Sequence, residues 1–595
     1  MASLTTSFRR PFPPCIGVVM TTTMLLVSVC FAGDPTVPHE LRLSYDTAAP
    51  LGVVQQIITV NNKFPGPTIN VTTNNQVVVN VWNDLDEGVL LNWNGIQMRT
   101  NSWQDGVLGT NCPITPGKNW TYHFQVKDQI GSFFYFPSLG FQRASGGFGS
   151  FIVTNRPVIP IPFSMPDGDI EIFIGDWYNR NHTSLRSDLD AGKMLGVPDG
   201  VIINGKGPYR YNQTLVPAGI EYTTIRVDPG KTYRIRVHNV GISTSLNFRI
   251  QNHLLILVET EGTYTQQQSY KDFDIHVGQS YTFLVNMDQN ATTDYYIVAS
   301  AVLVDGSEWE RVTGVAILQY SNSRGPASGP LPPGPDDTYY KGRSMNQALS
   351  VRMNGSASGA RPNPQGSFRY GQINVTDFYL LESRQALKIN GSLRSTLNNI
   401  SFKNPTLPIR LADLNKVKGV YKLDFPSKPT GRQPSLGVSL INATFKGFIE
   451  VVLQNNDTSM RSFHLDGYAF FVVGMGYGNW TASQRGSYNR WDGISRSTTQ
   501  VYPGAWTAIL ISLDNAGAWN FRSQNLDRWY LGEETYFLIV NPGENNTTEM
   551  RPPDNVRYCS ALESRNQESS SGLSAHAELL LSVLAAIAAI SVLTL

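Results

Sequence analysis

Gln76-Val77-Val78-Val79-Asn80-Val81-Trp82-Asn83 alternates apolar and polar side chains and stops at an asparagine. A period of two puts one set of side chains on the buried face of a strand. The pattern returns at Lys231-Thr232-Tyr233-Arg234-Ile235-Arg236-Val237-His238-Asn239 and at Gly447-Phe448-Ile449-Glu450-Val451-Val452-Leu453-Gln454-Asn455. Each run closes beside an asparagine, as a sandwich strand does where it meets a turn. Three recurrences predict three Greek-key β-sandwiches. The third lies further along the chain, which predicts an enlarged linker and final domain.

Composition agrees. A length of 595 residues suits about three or four domains. With 52 Gly and 35 Pro, and abundant Thr, Val, Tyr and Phe, turns and strands are favoured over helices. The proline-rich run from Arg156 to Pro166 separates the first two sandwiches. The Gly/Pro/Ser-rich stretch from Ser321 to Asp337 opens a long connection, and Pro362 to Gly366 has similar character. The expected division is 33–157, 158–322, a linker at 323–340, and 341–560, with few and short helices. Net charge is +1 and only 16% of residues are charged, which argues against nucleic acid as a partner.

Both ends read as sorting signals. Arg9 and Arg10 precede a mostly apolar run from Ile16 to Phe31, so residues 1–32 resemble a secretory signal peptide cleaved after Ala32. A signal anchor is the alternative, but the run is short and interrupted by threonines. Leu579 to Leu595 is apolar and ends the sequence. Small residues Ser569, Ser570, Ser571 and Gly572 lie upstream, followed by a polar spacer. That order suits GPI attachment at Ser570, or at Ser569 or Ser571, with residues 561–595 as spacer and removed tail. A tail-anchored span is the competing reading. The expected location is secreted, on the outer leaflet of the plasma membrane and in the cell wall.

Cys15 and Cys30 fall in the signal, leaving Cys112 and Cys559. In an oxidising compartment two remaining cysteines usually pair, and two free thiols are the alternative. Asn-x-Ser/Thr occurs at Asn70, Asn119, Asn181, Asn212, Asn290, Asn354, Asn374, Asn390, Asn399, Asn442, Asn456, Asn479, Asn545 and Asn546. That density predicts a glycosylated surface, with any sequon in a buried strand left bare.

Several motifs carry a resemblance. Asn92-Trp93-Asn94-Gly95 is followed by Trp103-Gln104-Asp105-Gly106 and by Cys112-Pro113-Ile114-Thr115-Pro116-Gly117. Then come Gly131-Ser132-Phe133-Phe134-Tyr135-Phe136-Pro137-Ser138 and Gln142-Arg143. Near the C-terminus stand Arg461-Ser462-Phe463-His464-Leu465-Asp466-Gly467 and Asp514 to Gln524, with Arg528 and Glu533 beyond. In this order over about residues 40–560, the framework resembles the multicopper oxidases, and in particular the plant monocopper-oxidase-like, Skewed-type branch. The resemblance implies cupredoxin-like domains. It also implies a surface protein associated with wall assembly and directional cell expansion.

The copper ligands have changed. The family's type 1 copper uses two histidines, a cysteine and often a methionine, and the matching positions are Arg461, Ser523, Arg528 and Glu533. Its trinuclear cluster uses eight histidines, and the matching positions are Asn92, Asn94, Phe136, Ser138, His464, Asp466, Arg522 and Gln524. A serine lacks the soft sulfur of a blue copper site. At ~4 Å and an effective dielectric of ~20, each arginine would repel a dication by about 8 kcal/mol. His464 is the only retained ligand position, so the expectation is no cofactor, or at most one copper at His464 aided by Asp466. Arg461, Arg528 and Glu533 are expected to fill one vacated site as an ion-pair cluster, and Asp466 with Arg522 the other. Drift after loss of activity is the competing view.

Other motifs are weak. Gly474-Met475-Gly476-Tyr477-Gly478 resembles a nucleotide loop by letters alone and is read as a turn. Asp272, Asp274 and His276 are read as alternating strand residues rather than as a cation site. Three functions remain. One is a non-catalytic surface protein binding a wall polysaccharide or wall protein. The second is a residual oxidoreductase with one copper near His464. The third is a carbohydrate or small-molecule binder using the family's substrate cleft.

Overall fold

The computed structural model describes residues 34–209, 221–304, 309, 312–335, 340–357, 369–540 and 548–564. The expected signal segment, the attachment candidates Ser569, Ser570 and Ser571, and the sequons at Asn212, Asn545 and Asn546 lie outside them.

The three repeated runs are strands Gln76–Asn83, Thr232–Asn239 and Phe448–Asn455. Each takes the same place in its sandwich. It pairs in parallel with the strand that opens the domain: Thr36–Ala48, Gly168–Trp177 and Asp377–Ser383 respectively. Period-two alternation buries Val77, Val79 and Val81 completely.

The closing asparagines explain themselves. Asn83, Asn239 and Asn455 are fully buried. Asn83 Nδ2 donates to the carbonyls of Glu87 (2.8 Å) and Ile114 (2.7 Å), and its Oδ1 accepts from Leu85 N (3.0 Å). Asn239 Nδ2 donates to Thr244 O (3.0 Å) and Ile275 O (2.9 Å), and its Oδ1 accepts from Gly241 N (3.1 Å). Asn455 repeats this with Ser459 O (2.9 Å), Val501 O (3.1 Å) and Asp457 N (2.9 Å). One side chain thus satisfies three backbone groups at a buried corner, where an orphaned group would be costly.

Each domain is a pair of facing sheets. The first stacks Gln55–Val60, Thr36–Ala48, Gln76–Asn83 and Asn119–Gln125 against Ile69–Thr72, Gly149–Thr154, Gly131–Pro137 and Leu91–Asn94. The second packs a six-stranded sheet on a five-stranded one. The third packs two five-stranded sheets. One of these runs Ile441–Thr444, Glu534–Val540, Gly517–Ser523, Arg461–Leu465 and Thr498–Val501. The out-of-sequence strand orders are those of Greek-key sandwiches, and the fold is all-β. Among the described residues the α-helices are short, the longest being Tyr340–Ser350.

Gly474 to Gly478 is not a turn, as the sequence suggested. Its first four residues belong to strand Phe470–Tyr477, whose register slips between Val472 and Gly474. A Cβ on Gly476 would meet the Trp506 indole at 2.7 Å, so glycine is there for close packing.

Cys112 and Cys559 form a disulfide with Cα atoms 5.8 Å apart. It holds the C-terminal segment on the first domain. Trp103 Nε1 donates to Met550 O (3.2 Å) and Trp120 Nε1 to Asn555 O (2.7 Å). Among the described sequons, Asn70, Asn119, Asn290, Asn374, Asn390, Asn442, Asn456 and Asn479 are exposed, and Asn181 and Asn354 partly so. Asn399 departs from the expected glycosylated set. It is 7% exposed, and its Nδ2 donates to Arg432 O at 3.0 Å.

Candidate functional site

Strand Leu91–Asn94 of the first domain pairs with Gly131–Pro137, which places Asn92 opposite Phe136. With a period of two, Asn92 and Asn94 share one face. In the third domain Arg461–Leu465 pairs with Gly517–Ser523, which places His464 opposite Arg522. These surfaces meet, and the positions of the family's trinuclear ligands interlock across the domain boundary.

Arg522 is the hub. Its guanidinium is fully buried and forms an ion pair with Asp466. It also donates to Asn92 Oδ1 at 2.9 Å and to Asn520 Oδ1 at 3.1 Å. It lies over the Trp529 ring, 4.7 Å from the centroid. Asn92 Nδ2 in turn donates to Asp105 O at 3.0 Å. Asn94 Oδ1 accepts from Gln524 Nε2 at 2.6 Å. Gln524 Oε1 accepts from Arg143 Nη1 at 3.0 Å, and its carbonyl from Arg143 Nη2 at 2.7 Å. The Arg143 guanidinium stacks over Phe136 at 4.8 Å. Ser138 turns aside, its hydroxyl donating to Gly106 O at 2.7 Å.

His464 has no nitrogen to spare. Nδ1 lies 2.8 Å from Thr498 Oγ1, and Nε2 lies 2.9 Å from Asp466 Oδ1. Burial and the Arg522 charge lower its pKa, only partly opposed by Asp466. The imidazole is therefore neutral at physiological pH. Beside an ionised Asp466, Nε2 carries the proton and Nδ1 accepts from the Thr498 hydroxyl. Burial works to raise the Asp466 pKa, but Arg522 and His464 more than offset it and hold it at about 2. Asp105 goes the other way. Burial and the neighbouring Asp466 charge raise its pKa well above the ordinary value.

The second set of matched positions lies within the third domain. Arg461, 2% exposed, forms ion pairs with Asp457 and, through Nε at 3.4 Å, with Glu533. Arg461 Nη1 donates to Ser459 Oγ at 2.7 Å. Arg528 reaches the same Asp457 at 3.5 Å and Asp527 at 3.4 Å. The Glu533 carboxylate takes a hydrogen bond from Ser383, and Ser523 N donates to Glu533 O at 3.0 Å. Burial raises the Glu533 pKa, against the pull of Arg461 and Ser383.

The structure thus brings together Asn92, Asn94, His464, Asp466, Arg522 and Gln524 in one network, and Arg461, Ser523, Arg528 and Glu533 in another. Sequence reasoning missed Asp457, which receives two arginines and sits four residues before Arg461. It passed over Asp105 and Arg143 as partners, although both lie in the quoted motifs. Nothing in the sequence marked Thr498 or Glu534. The weaker cation candidate is tied up as well. Asp272 pairs with Arg343 at 2.8 Å, Asn247 donates to Asp274 at 2.8 Å, and His276 Nδ1 bonds Ser245 Oγ at 2.8 Å.

These donors do not fit copper. Guanidinium groups stand at three of the positions that the resemblance matches to ligands, a serine at the one matched to the cysteine, and the one imidazole is hydrogen-bonded at both nitrogens. Among the described residues no group of three or more His, Cys, Asp or Glu is placed to hold a metal ion.

Comparison with known proteins places this geometry. Models of the multicopper oxidase family match residues 42–158, 168–323 and 406–551. The chain is 69% identical to Monocopper oxidase-like protein SKU5 of Arabidopsis thaliana over 536 residues, covering 90% of this chain and 91% of that one. It is 29% identical to L-ascorbate oxidase of Cucurbita maxima, covering 81% and 86%. Among solved structures, Fet3p, a multicopper oxidase that functions in iron import, superposes with a TM-score of 0.73 at 20% identity, covering 87% and 93%. The fold is therefore that of cupredoxin-like domains, and the chain belongs to the multicopper oxidase family, as a plant relative of the SKU5 type.

Proposed function

We propose that this protein is a non-catalytic member of its family. In this reading it is a glycosylated, GPI-anchored protein of the outer plasma-membrane leaflet and cell wall, acting in wall assembly and directional cell expansion by binding a wall polysaccharide or wall protein. The observation that carries the loss of catalysis is the Arg522–Asp466–Asn92 network standing where three coppers would sit. Oxygen reduction to water takes four electrons, and no side chain in either network is a redox centre. A copper entering at His464 would have to break the Asp466 and Thr498 hydrogen bonds and face Arg522.

The sorting signals and the exposed sequons support the surface location, and the similarity to the SKU5 protein supports the wall role. Elemental analysis of the natively glycosylated protein, with release by phosphatidylinositol-specific phospholipase C, tests both parts. The reading expects no stoichiometric copper and release from membranes. Stoichiometric copper lost on His464→Ala would favour a residual oxidoreductase instead.

A second reading keeps a ligand in the family's substrate cleft. A cavity of about 280 Å3 remains beside Arg461 and Arg528, walled by Tyr178, Leu303 and Met460. Glycan-array binding that is lost on Met460→Trp would support it.

A further inference from the structure

The third domain carries a basic surface that the near-zero net charge conceals. Residues 403–432 hold seven Lys and Arg against two Asp, in a chain whose net charge is +1. Lys403, Lys416, Lys418, Lys422, Lys428 and Arg432 are exposed. Both acids are engaged. Asp413 pairs with Arg410 at 3.1 Å and accepts from Tyr421, and Asp424 accepts from Ser439 Oγ at 2.8 Å. Among the described residues no carboxylate pairs with Lys403, Lys416, Lys418, Lys422 or Arg432. The backbone gathers three of these cations. Strand Ile400–Phe402 runs parallel to Ser435–Gly437. Lys403 follows the first strand, its N donating to Gly437 O at 3.1 Å, and Lys422 N donates to Val438 O at 2.8 Å. Asn399 Nδ2 holds Arg432 O at 3.0 Å. Lys422 and Arg432 line a groove of about 400 Å3 there, together with the exposed Gln433 and Ser435. Its volume falls in the range of small-molecule sites.

We propose that this groove binds a carboxylated sugar polymer, a polyuronate, with carboxylates on Lys422 and Arg432 and hydroxyls on Gln433 and Ser435. The inference rests on the reading above in which the protein binds a wall polysaccharide, and it names the charge class and the site. A guanidinium takes a carboxylate bidentately, and an ammonium takes it as a point charge. Lys403 borders the groove, and Lys418 precedes Gly419, which lines it. They extend the positive field past the two wall cations, which favours a chain of carboxylates over a single sugar. Asp424 also lines the groove, but two cations in the wall and two beside it leave the local balance positive. A neutral glucan would leave these cations without partners. A membrane face would meet the cations but not the amide and hydroxyl groups of a concave groove. Asn399 lines the same groove, so an unmodified Asn399 keeps it open.

The test titrates unesterified oligogalacturonate into the natively glycosylated protein by calorimetry, in calcium-free buffer of low ionic strength. Saturable binding is expected, weakening as added salt screens the exposed charges. It should weaken at least about tenfold for the fully methyl-esterified oligomer, and about tenfold in the double variant Lys422→Gln with Arg432→Gln. Both side chains are exposed, so that variant is expected to fold and to melt with the parent. Lys63→Gln with Lys118→Gln removes the same charge from exposed positions of the first domain and should leave binding unchanged. Absence of saturable binding would overturn the proposal. So would equal affinity for the esterified oligomer, or equal losses in the two double variants. Cellohexaose bound where oligogalacturonate is not would overturn the charged site and leave wall-polysaccharide binding standing. Phosphatidylserine vesicles bound through Lys422 and Arg432, without oligogalacturonate binding, would overturn it in favour of a membrane contact.

Discussion

Arg522 Nη2 donates to Asn92 Oδ1 over 2.9 Å, although the two residues are 430 positions apart in the chain. The sequence resemblance matches both to copper-binding histidines of the family. The bond joins the first and third domains directly. The Arg522–Asp466 pair beside it is fully desolvated. Removing one member leaves an unpaired buried charge, which costs far more than the pair contributes.

Asp466→Ala therefore strands Arg522, and the variant should lose about 3–5 kcal/mol of stability. Denaturant unfolding checks this. The double variant Asp466→Leu with Arg522→Met, which removes both charges, should recover most of the loss. A double variant as unstable as the single one would show that the pair is not the source.

Glu534 sets a pH dependence. Burial raises its pKa from 4.5 to about 7, with hydrogen bonds from Asn520 and Trp529 opposing. A carboxyl with a raised folded-state pKa binds its proton more tightly in the folded chain. Its contribution is therefore full below about pH 4.5 and is lost as pH rises through 7, by about 3 kcal/mol at most. Asp466, held at about 2, works in the opposite sense, but only as pH falls below the ordinary carboxyl range. The buried neutral histidines His238, His276 and His464 act in the opposite sense as pH rises toward the ordinary imidazole range, so the test is a difference in melting temperature: relative to the parent, Glu534→Gln should gain stability as pH rises from 5 to 8. An unchanged slope in the variant would assign the effect elsewhere.

The Cys112–Cys559 bond closes a sequence separation of 447 residues. Cys559→Ser should cost about 3–5 kcal/mol through the unfolded chain. It should also free the segment around Met550 and Asn555 from Trp103 and Trp120. Limited proteolysis of the reduced and variant proteins would show cleavage in residues 548–564 ahead of the sandwiches. A cleavage pattern identical to the oxidised parent would contradict this.

Glycan occupancy should follow exposure. Asn399 lies in a turn with φ 64°, and its amide is spent on Arg432 O. Glycopeptide mass spectrometry is expected to find Asn399 bare, while exposed sites such as Asn70 and Asn442 carry sugar. A modified Asn399 would require that turn to open.

The sandwiches were legible because alternation is a local property. Gln76–Asn83 shows its buried face in eight letters. The fate of the copper positions was legible only by resemblance, since no local pattern makes Asn92 or Arg522 conspicuous. The partners of the substituted residues were not legible, because they come from other strands. Thr498 reaches His464 through a strand pairing, and Asp457 serves Arg461 and Arg528 from a corner that Asn455 builds. The Gly474 to Gly478 run misled for a related reason. Gly474 and Gly476 answer to Trp506, more than twenty-five residues on, and not to a turn.

Oxygen consumption by copper-loaded, natively glycosylated protein, with ascorbate and phenols as electron donors, tests most directly whether these networks have replaced the redox centre. The account predicts no uptake above that of free copper at the same concentration, with copper removed by gel filtration. Sustained turnover by protein that keeps its copper through filtration would contradict it.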